Sequence, residues 1–333
     1  MTTLYLIRHG EAEGNVFRRL QGQYDSLITP NGRKQIAALA ERFRDIPVDA
    51  VYSSDLTRTC ITAGAIYKPK GLPLHTDPRL REIGVGVWEN KPFGYLDHID
   101  HERNYAFSHS PKTWFVEGSE TYDVYTGRFL TALREIAENH DGQTVAIFSH
   151  GMVLRGSLQN LFFDGRDNAI AHCENTAVTC LKFENGTFTL EFLNDASHIT
   201  EEISTLGKQM WWRGEKYRDF NMWYRDPLAE DETFLAQFDL PEGKIRIAML
   251  DEEATGVIVV EGGILRYFAM TPEFRGRALS PQLLGEAIAM AREMGSDTLT
   301  AAYEPEHPAA LRILEEYGFW GSPRTLMIRP ETD

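Results

Sequence analysis

Residues 1–15 read MTTLYLIRHGEAEGN, and the order of residue types in this stretch decides how the rest of the chain is read. Leu4, Tyr5, Leu6 and Ile7 have the character of a short, fully buried strand. Open α/β sheets place their ligands just beyond the carboxyl ends of such strands. Arg8 and His9 are therefore expected at the rim of a cleft, with Gly10 letting the chain turn away.

Outward from this strand, residues 1 to about 195 alternate strand-like runs (LYLI, AVYSSD, TVAIFSH) with helix-like ones, the pattern of βα units around a mostly parallel sheet. Thr29-Pro30-Asn31-Gly32 reads as a helix entry, followed by an amphipathic run through Phe43. Tyr122 to Asn139 is a second helix, with Val124, Phe129, Leu133 and Ile136 assigned to one face. Val178 to Phe183 and Phe188 to Phe192 form a hairpin around Glu184-Asn185-Gly186-Thr187, which closes a first domain at residues 1–200. The aromatic and charged stretch KQMWWRGEKYRDFNMWYRDP is read as a linker or brace at 201–225. In 226–333, Ile245 to Leu250, Thr255 to Val260 and Ile264 to Met270 read as strands. A helix at Pro281 to Met294, a strand at Thr298 to Tyr303 and a helix at Ala309 to Tyr317 follow. This is the texture of a separate mixed α+β domain.

At 333 residues the chain is comfortable for two domains, since single cores stop growing near ~250–300 residues. An apolar share of 42% and a charged share of 25% are those of a soluble globular protein, and no run approaches the ~18 apolar residues of a membrane helix. A net charge of −15 repels nucleic acid and anionic lipid, so any anion site must be built locally from a few converging cations. No basic n-region precedes Leu4, which argues for a cytoplasmic location. Cys60, Cys173 and Cys180 sit in no metal-binding spacing and are read as reduced thiols. The sequence fixes neither an oligomeric state nor a particular substrate.

Four segments recur in order: LIRHGEAEGN, SSDLTRTCITA, LREIGVGVWEN and VAIFSHGMVLR. Together they closely resemble the histidine phosphatase, or phosphoglycerate mutase-like, superfamily over roughly residues 1 to 200. The resemblance implies a three-layer α/β/α domain acting on a small-molecule phosphomonoester, without a metal or other cofactor. His9 matches the family's nucleophile, an imidazole that forms a phosphohistidine. Arg8, Asn15, Arg58 and His150 match its phosphate pocket, and Glu82 matches its proton donor. Gly10, Gln21, Gly151, Ser119 and Glu120 are expected as support; FVEGSET resembles the family's G-E-S helix start.

LQGQYDSLITPNG resembles the phosphatase branch's QG-x-x-D-S-x-L-T-x-x-G. A candidate lid, Asn90 to Asp123, offers only Lys91, Arg103 and Lys112, offset by six carboxylates, whereas a mutase needs extra cations for a doubly phosphorylated intermediate. Phosphatase is accordingly expected over phosphoglycerate mutase. Phe93, Tyr95, Tyr105, Phe107, Trp114 and Phe115 in the lid suit either an aromatic wall for an organic leaving group or ordinary packing. His98, His101 and His109 are read as solvent-facing.

AMTPEFRGRALSPQLLGEAIAMAREMG resembles the GNAT acetyltransferase superfamily. There a loop R/Q-x-x-G-x-G/A at a helix start binds the CoA pyrophosphate through backbone N–H groups. The loop maps to Arg275, Gly276, Arg277, Ala278, Leu279 and Ser280, with Ala278 and Ser280 at the glycine positions. EPEHPAALRILEEYGF resembles the family's ending, with His307 for an asparagine and Leu314 where a tyrosine often serves as general acid; Glu261 and Glu304 are unmarked alternatives for proton transfer. The resemblance implies acetyl-CoA as ligand, with a small amine as acceptor if transfer occurs and the phosphatase half then modifying the same metabolite. The other reading is a non-catalytic binding or sensor module.

Overall fold

A computed structural model describes residues 1–209, 221–302 and 308–329. In chain order the first part comprises β1 (Thr2–Arg8), α1 (Glu13–Phe17), α2 (Pro30–Arg42), β2 (Ala50–Ser53), α3 (Thr57–Lys70) and β3 (Leu74–Thr76). There follow α4 (Phe93–Ile99), α5 (His101–His109), α6 (Tyr122–Asn139), β4 (Thr144–Ser149), α7 (Gly151–Phe162), β5 (Val178–Glu184), β6 (Thr187–Asp195) and α8 (Thr205–Lys208). The later part comprises β7 (Trp223–Arg225), α9 (Glu232–Leu235), β8 (Lys244–Leu250), β9 (Glu253–Glu261), β10 (Ile264–Met270), α10 (Ser280–Glu293), β11 (Thr298–Ala301), α11 (Pro308–Glu316) and β12 (Arg324–Met327).

The elements form two compact units. The first holds Met1–Ala12, Gln21–Asn90 and Glu102–Asp219. Its sheet has the order β3-β2-β4-β1-β5-β6, parallel from β3 to β1 and antiparallel from there to β6. Side-chain alternation sorts its core: Ile7, Val51, Ala146 and Phe148 pack with Leu39 of α2 and Ile66 of α3. Leu4, Leu6, Val145 and Ile147, equally buried, point to the other face, and α6 and α7 also pack against β1.

The local reasons are those of the sequence. Thr29 caps α2 by accepting from Gly32 N–H at 3.0 Å, with Pro30 at the first helical position. Asn185 and Gly186 take positive φ angles of 50° and 78°, as a two-residue hairpin turn between paired Glu184 and Thr187 requires. The buried face of α6 is Tyr122, Tyr125, Thr126, Phe129, Ala132, Leu133 and Ile136. Val124 is 54% exposed; it falls off the stripe because 3.6-residue periodicity pairs residue 129 with 125 and 126.

The second unit holds Glu13–Leu20, Lys91–His101 and Phe220–Asp333. Its six strands run in the order β12-β11-β10-β9-β8-β7. Only β10 and β11 pair in parallel, with α10 as the connection between them. The edge strands β7 and β12 had no clear signal in the sequence, being short. Much of the expected linker, residues 210–220, lies outside the described residues, and Trp223–Arg225 proves to be a strand of this sheet.

The chain therefore does not divide at a single point near residue 200. α1 and α4, inserted early in the sequence, are built into the second unit. Phe17 joins its core with Leu283, Leu284 and Ile288. Arg292 forks onto Glu13 at 2.9 and 3.0 Å, and Arg19 meets Glu286 at 2.7 Å. The candidate lid is likewise split, Lys91–His101 going to the second unit and the rest to the first. Among the described residues no helix is long and apolar enough to cross a membrane, and the three cysteines form no disulfide.

The close approach of α1 to α10 is read from Gly285, where an added Cβ would fall 2.4 Å from Phe17 Cβ. Gly285→Ala is expected to destabilise the second unit by about 1–3 kcal/mol through overpacking, seen as a lowered urea midpoint. An unchanged midpoint would contradict this packing.

Candidate active site

The carboxyl ends of β1, β2 and β4 bring Arg8, His9, Arg58 and His150 together in the first unit. His9 is 6% exposed, and its ring lies 5.3 Å from that of His150, centroid to centroid. His9 Nδ1 meets the Gly10 carbonyl at 2.7 Å. A carbonyl only accepts, so Nδ1 carries the hydrogen and Nε2 keeps its lone pair. Burial, reinforced by the Arg58 and Arg8 charges, holds the imidazole well below its ordinary pKa of 6.5, so it is neutral near pH 7.

Arg58, on the first turn of α3, is 1% exposed. It donates from Nε to His150 Nδ1 at 3.2 Å, from Nη1 to the Tyr24 carbonyl at 2.8 Å and from Nη2 to the Gly22 carbonyl at 2.7 Å. Burial lowers its pKa to about 10, against the raising effect of Glu82, and it remains a cation. His150 Nδ1 is an acceptor here, so the hydrogen of the neutral ring sits on Nε2 and is donated to Ser54 Oγ at 2.9 Å. Burial and Arg58 hold this ring also well below 6.5.

Arg8 donates from Nη1 to the Cys173 carbonyl at 2.5 Å. Its Nε is buried and makes no hydrogen bond among the described residues, an arrangement that favours an arriving anion. Gly151 leaves room here, since a Cβ would lie 3.3 Å from Arg8 Nε and press on that side chain. Gly10 has a related reason: its φ is not left-handed, and instead a Cβ would press on the Gly32 carbonyl at 3.2 Å. Close approach to α2, rather than a turn, accounts for this glycine.

Glu82 is 6% exposed and sits at the N-terminus of α7. Its Oε1 accepts from Val153 N at 2.7 Å and Ile83 N at 3.0 Å, and its Oε2 from Met152 N at 2.9 Å. Burial raises its pKa and outweighs these N–H groups and Arg58, which favour the ionised form. Two N–H groups fill Oε1, so a proton belongs on Oε2.

Of the expected support residues, Glu120 ties Gly84 N at 2.7 Å to Arg128, and Ser119 Oγ accepts from Val116 N within its own turn. Gln21 is half-buried, and it is its loop neighbours Gly22 and Tyr24 that engage Arg58. Two residues were missed by sequence reasoning. Arg128 donates to the carbonyls of Arg79, Arg81 and Glu82, fixing the segment that carries Glu82. Glu89 accepts from the backbone N–H groups of Gly22, Gln23, Tyr24 and Val85, shaping the loop that holds Arg58. The only local signal was a carboxylate at the end of the quoted segment LREIGVGVWEN. Asn15 is half-buried on α1 and belongs to the second unit; the cluster described here is that of the first unit, without it.

The aromatic residues of the candidate lid act chiefly in packing. Phe107 and Trp114 are buried and meet edge to face at 4.9 Å, and Trp88 meets Trp114 at 5.5 Å. Tyr95 packs in the second unit beside Trp223, and Tyr105 and Phe115 are exposed. His98 is not simply solvent-facing, since it stacks on Trp223 at 3.9 Å.

In the second unit, Arg275 Nε donates to the Met270 carbonyl at 3.0 Å, and Gly276 and Ala278 take φ angles of 77° and 58°. Arg277 lies 4.7 Å over the Phe274 ring, Leu279 is buried, and Ser280 begins α10, whose N-terminus has no side-chain cap. Leu314 is fully buried, and Glu261 is exposed and paired with Arg266. Tyr303, Glu304 and His307 lie outside the described residues.

The histidine phosphatase superfamily (branch 1) model matches residues 4–196. Probable phosphoglycerate mutase GpmB of Yersinia pestis (strain Pestoides F) is 36% identical over 161 residues, 48% of this chain and 75% of that protein. Its counterpart in Proteus mirabilis (strain HI4320) is 30% identical over 60% of this chain and 96% of its own length. Among solved structures, Bacillus stearothermophilus YhfR is 34% identical with a TM-score of 0.57, covering 60% of this chain and 99% of its own. A mycobacterial glucosyl-3-phosphoglycerate phosphatase complexed with VO3 is 25% identical with a TM-score of 0.55, covering 58% and 99%. The chain belongs to the histidine phosphatase superfamily, branch 1, and is an enzyme of the phosphatase and phosphoglycerate mutase-like kind.

Proposed function

We propose that the chain hydrolyses a small organic phosphomonoester through a phosphohistidine at His9, with Arg8 and Arg58 supplying the charge compensation. The observation that carries this reading is the His9 tautomer: Nδ1–H is held by the Gly10 carbonyl, and Nε2 presents a lone pair in a neutral ring near the buried Arg58 and the half-buried Arg8. Nε2 attacks phosphorus, the bond to the leaving oxygen breaks, and that oxygen takes the proton from Glu82 Oε2. Water then attacks the phosphoryl group. Glu82, now ionised, takes the water's proton; the P–N bond breaks, and phosphate leaves with His9 neutral again. His150 joins the phosphate contacts by exchanging Ser54 Oγ for a phosphoryl oxygen.

Hydrolysis is preferred to a mutase reaction because nearby cations are already engaged. Arg81 pairs with Asp55, Arg128 with Glu120, and Arg155 donates to the Ile170 and Ser108 carbonyls and to Asn168 Oδ1. A second phosphate would find few donors unspoken for.

His9→Ala is expected to abolish phosphate release from an aryl phosphate. Glu82→Gln is expected to slow alkyl phosphates by about 10²–10⁴-fold, the usual worth of a general acid, and aryl phosphates with good leaving groups far less. With the Glu82 pKa raised and that of His9 lowered, activity falls as pH rises through the former and as pH drops through the latter. Glu82→Gln should lose the alkaline limb, and equal slowing of both substrate classes would refute the acid role.

A second reading concerns the other unit. The left-handed conformation at Ala278 is one that glycine adopts without penalty, so the loop keeps the shape of a glycine-rich anion cradle although the glycine has changed. This supports binding of the CoA pyrophosphate by Arg275–Ser280 and the uncapped start of α10. A buried leucine at 314 offers no general acid, which favours binding over transfer to an amine. Acetyl-CoA at a hundredfold excess over its Kd should stabilise the protein by ~2.7 kcal/mol in a thermal melt, without release of free thiol. An unchanged melt would remove this reading.

A further inference from the structure

The antiparallel ladder between β1 and β5 runs from Thr2 opposite Phe183 to Ile7 opposite Val178, and Arg8 N extends it by donating to the Ala177 carbonyl at 3.2 Å. At His9 the ladder stops, yet the His9 carbonyl is still held on that side. It accepts from Asn175 Nδ2 at 3.0 Å and from Thr176 N at 3.3 Å, while His9 N donates to the Ser149 carbonyl on the β4 side. The same short strap holds the neighbouring guanidinium through the Cys173 carbonyl.

The strap is itself over-determined. Thr176 has a φ of 59°, a left-handed conformation that is strained for a β-branched residue. Glu174 keeps the strap in place, its carboxylate accepting from Asn175 N at 2.9 Å, Thr205 N at 3.2 Å, Leu206 N at 3.1 Å and the Ser204 hydroxyl. Thr176 Oγ1 is joined to His198 Nε2 at 3.0 Å. Strain retained beside a reacting group and held by a buried carboxylate is a feature of positioning rather than of packing alone.

We propose that Asn175 is a positioning residue of the phosphotransfer centre, its fully buried side-chain amide replacing the missing ladder bond at His9 and fixing the backbone from which the nucleophilic imidazole projects. The role rests on the reading of His9 as nucleophile. It acts on the trajectory of Nε2 toward phosphorus, not on phosphate affinity, because the Asn175 amide bonds the His9 carbonyl and touches neither guanidinium: Arg8 is held by the Cys173 carbonyl and Arg58 by His150, Tyr24 and Gly22.

The test uses the full-length protein with Asn175→Ala, and with Asn175→Ser in case the first does not fold. Single-turnover kinetics with enzyme in excess give a rate constant insensitive to any inactive fraction, and inhibition by inorganic phosphate reports the pocket. The rate constant should fall about tenfold or more, as misplacement of a reacting group does, with the phosphate inhibition constant within about twofold of the parent. A rate constant within about twofold of the parent in either folded variant, or a loss matched by weakened phosphate binding, would overturn the proposal. His9→Ala separates the two claims: if it retains activity the nucleophile reading fails, whereas an inactive His9→Ala with unaffected Asn175 variants sinks only the positioning role.

Discussion

The first unit is organised around the burial of Arg58. A guanidinium at 1% exposure is costly unless its donors are met, and here they are met by two carbonyls and an imidazole nitrogen rather than by a carboxylate. Its charge is thus hydrogen-bonded without being neutralised by direct ion pairing among the described residues. The same charge helps keep His9 and His150 neutral. The tautomers then follow from the bonds: Nδ1–H on His9, directed at a carbonyl, and Nε2–H on His150, because Arg58 has claimed its Nδ1. On the proposed mechanism, a neutral imidazole beside a cation that no carboxylate pairs directly suits attack on a phosphate dianion.

Glu82 depends on an equivalent balance. The start of α7 offers it backbone N–H groups, which favour the carboxylate, and burial favours the acid; burial prevails. On the proposed mechanism, a group so poised changes protonation within one catalytic cycle.

The legible and illegible parts of the sequence differ in a physical way. Arg8 and His9 were readable because they follow an apolar strand, and Arg58 and His150 through the resemblance of four ordered segments to the histidine phosphatase superfamily. Helix α6 and the β5–β6 hairpin were readable from periodicity and an Asn-Gly turn. Glu89, Arg128 and Asn175 were not, because each acts on a backbone segment about 40 to 170 positions away, and a lone polar residue carries no mark of such a contact. The allotment of α1 and α4 to the second unit was invisible for the same reason: Phe17 and Glu13 look like ordinary residues of the first domain until Gly285 and Arg292 are placed beside them. The lid's aromatic residues left two readings open because aromatic richness says only that area is buried, not where; the packing reading is the one that Phe107, Trp114 and Tyr95 follow.

The most direct measurement is rapid quenching of the enzyme during turnover of a phosphomonoester, followed by mass spectrometry under alkaline conditions that preserve phosphohistidine. The account predicts a phosphoryl group on the peptide carrying His9, formed and discharged at rates consistent with turnover and lost on acid treatment. Steady turnover with no phosphoryl group at His9, or with one on another residue at a competent rate, would contradict it.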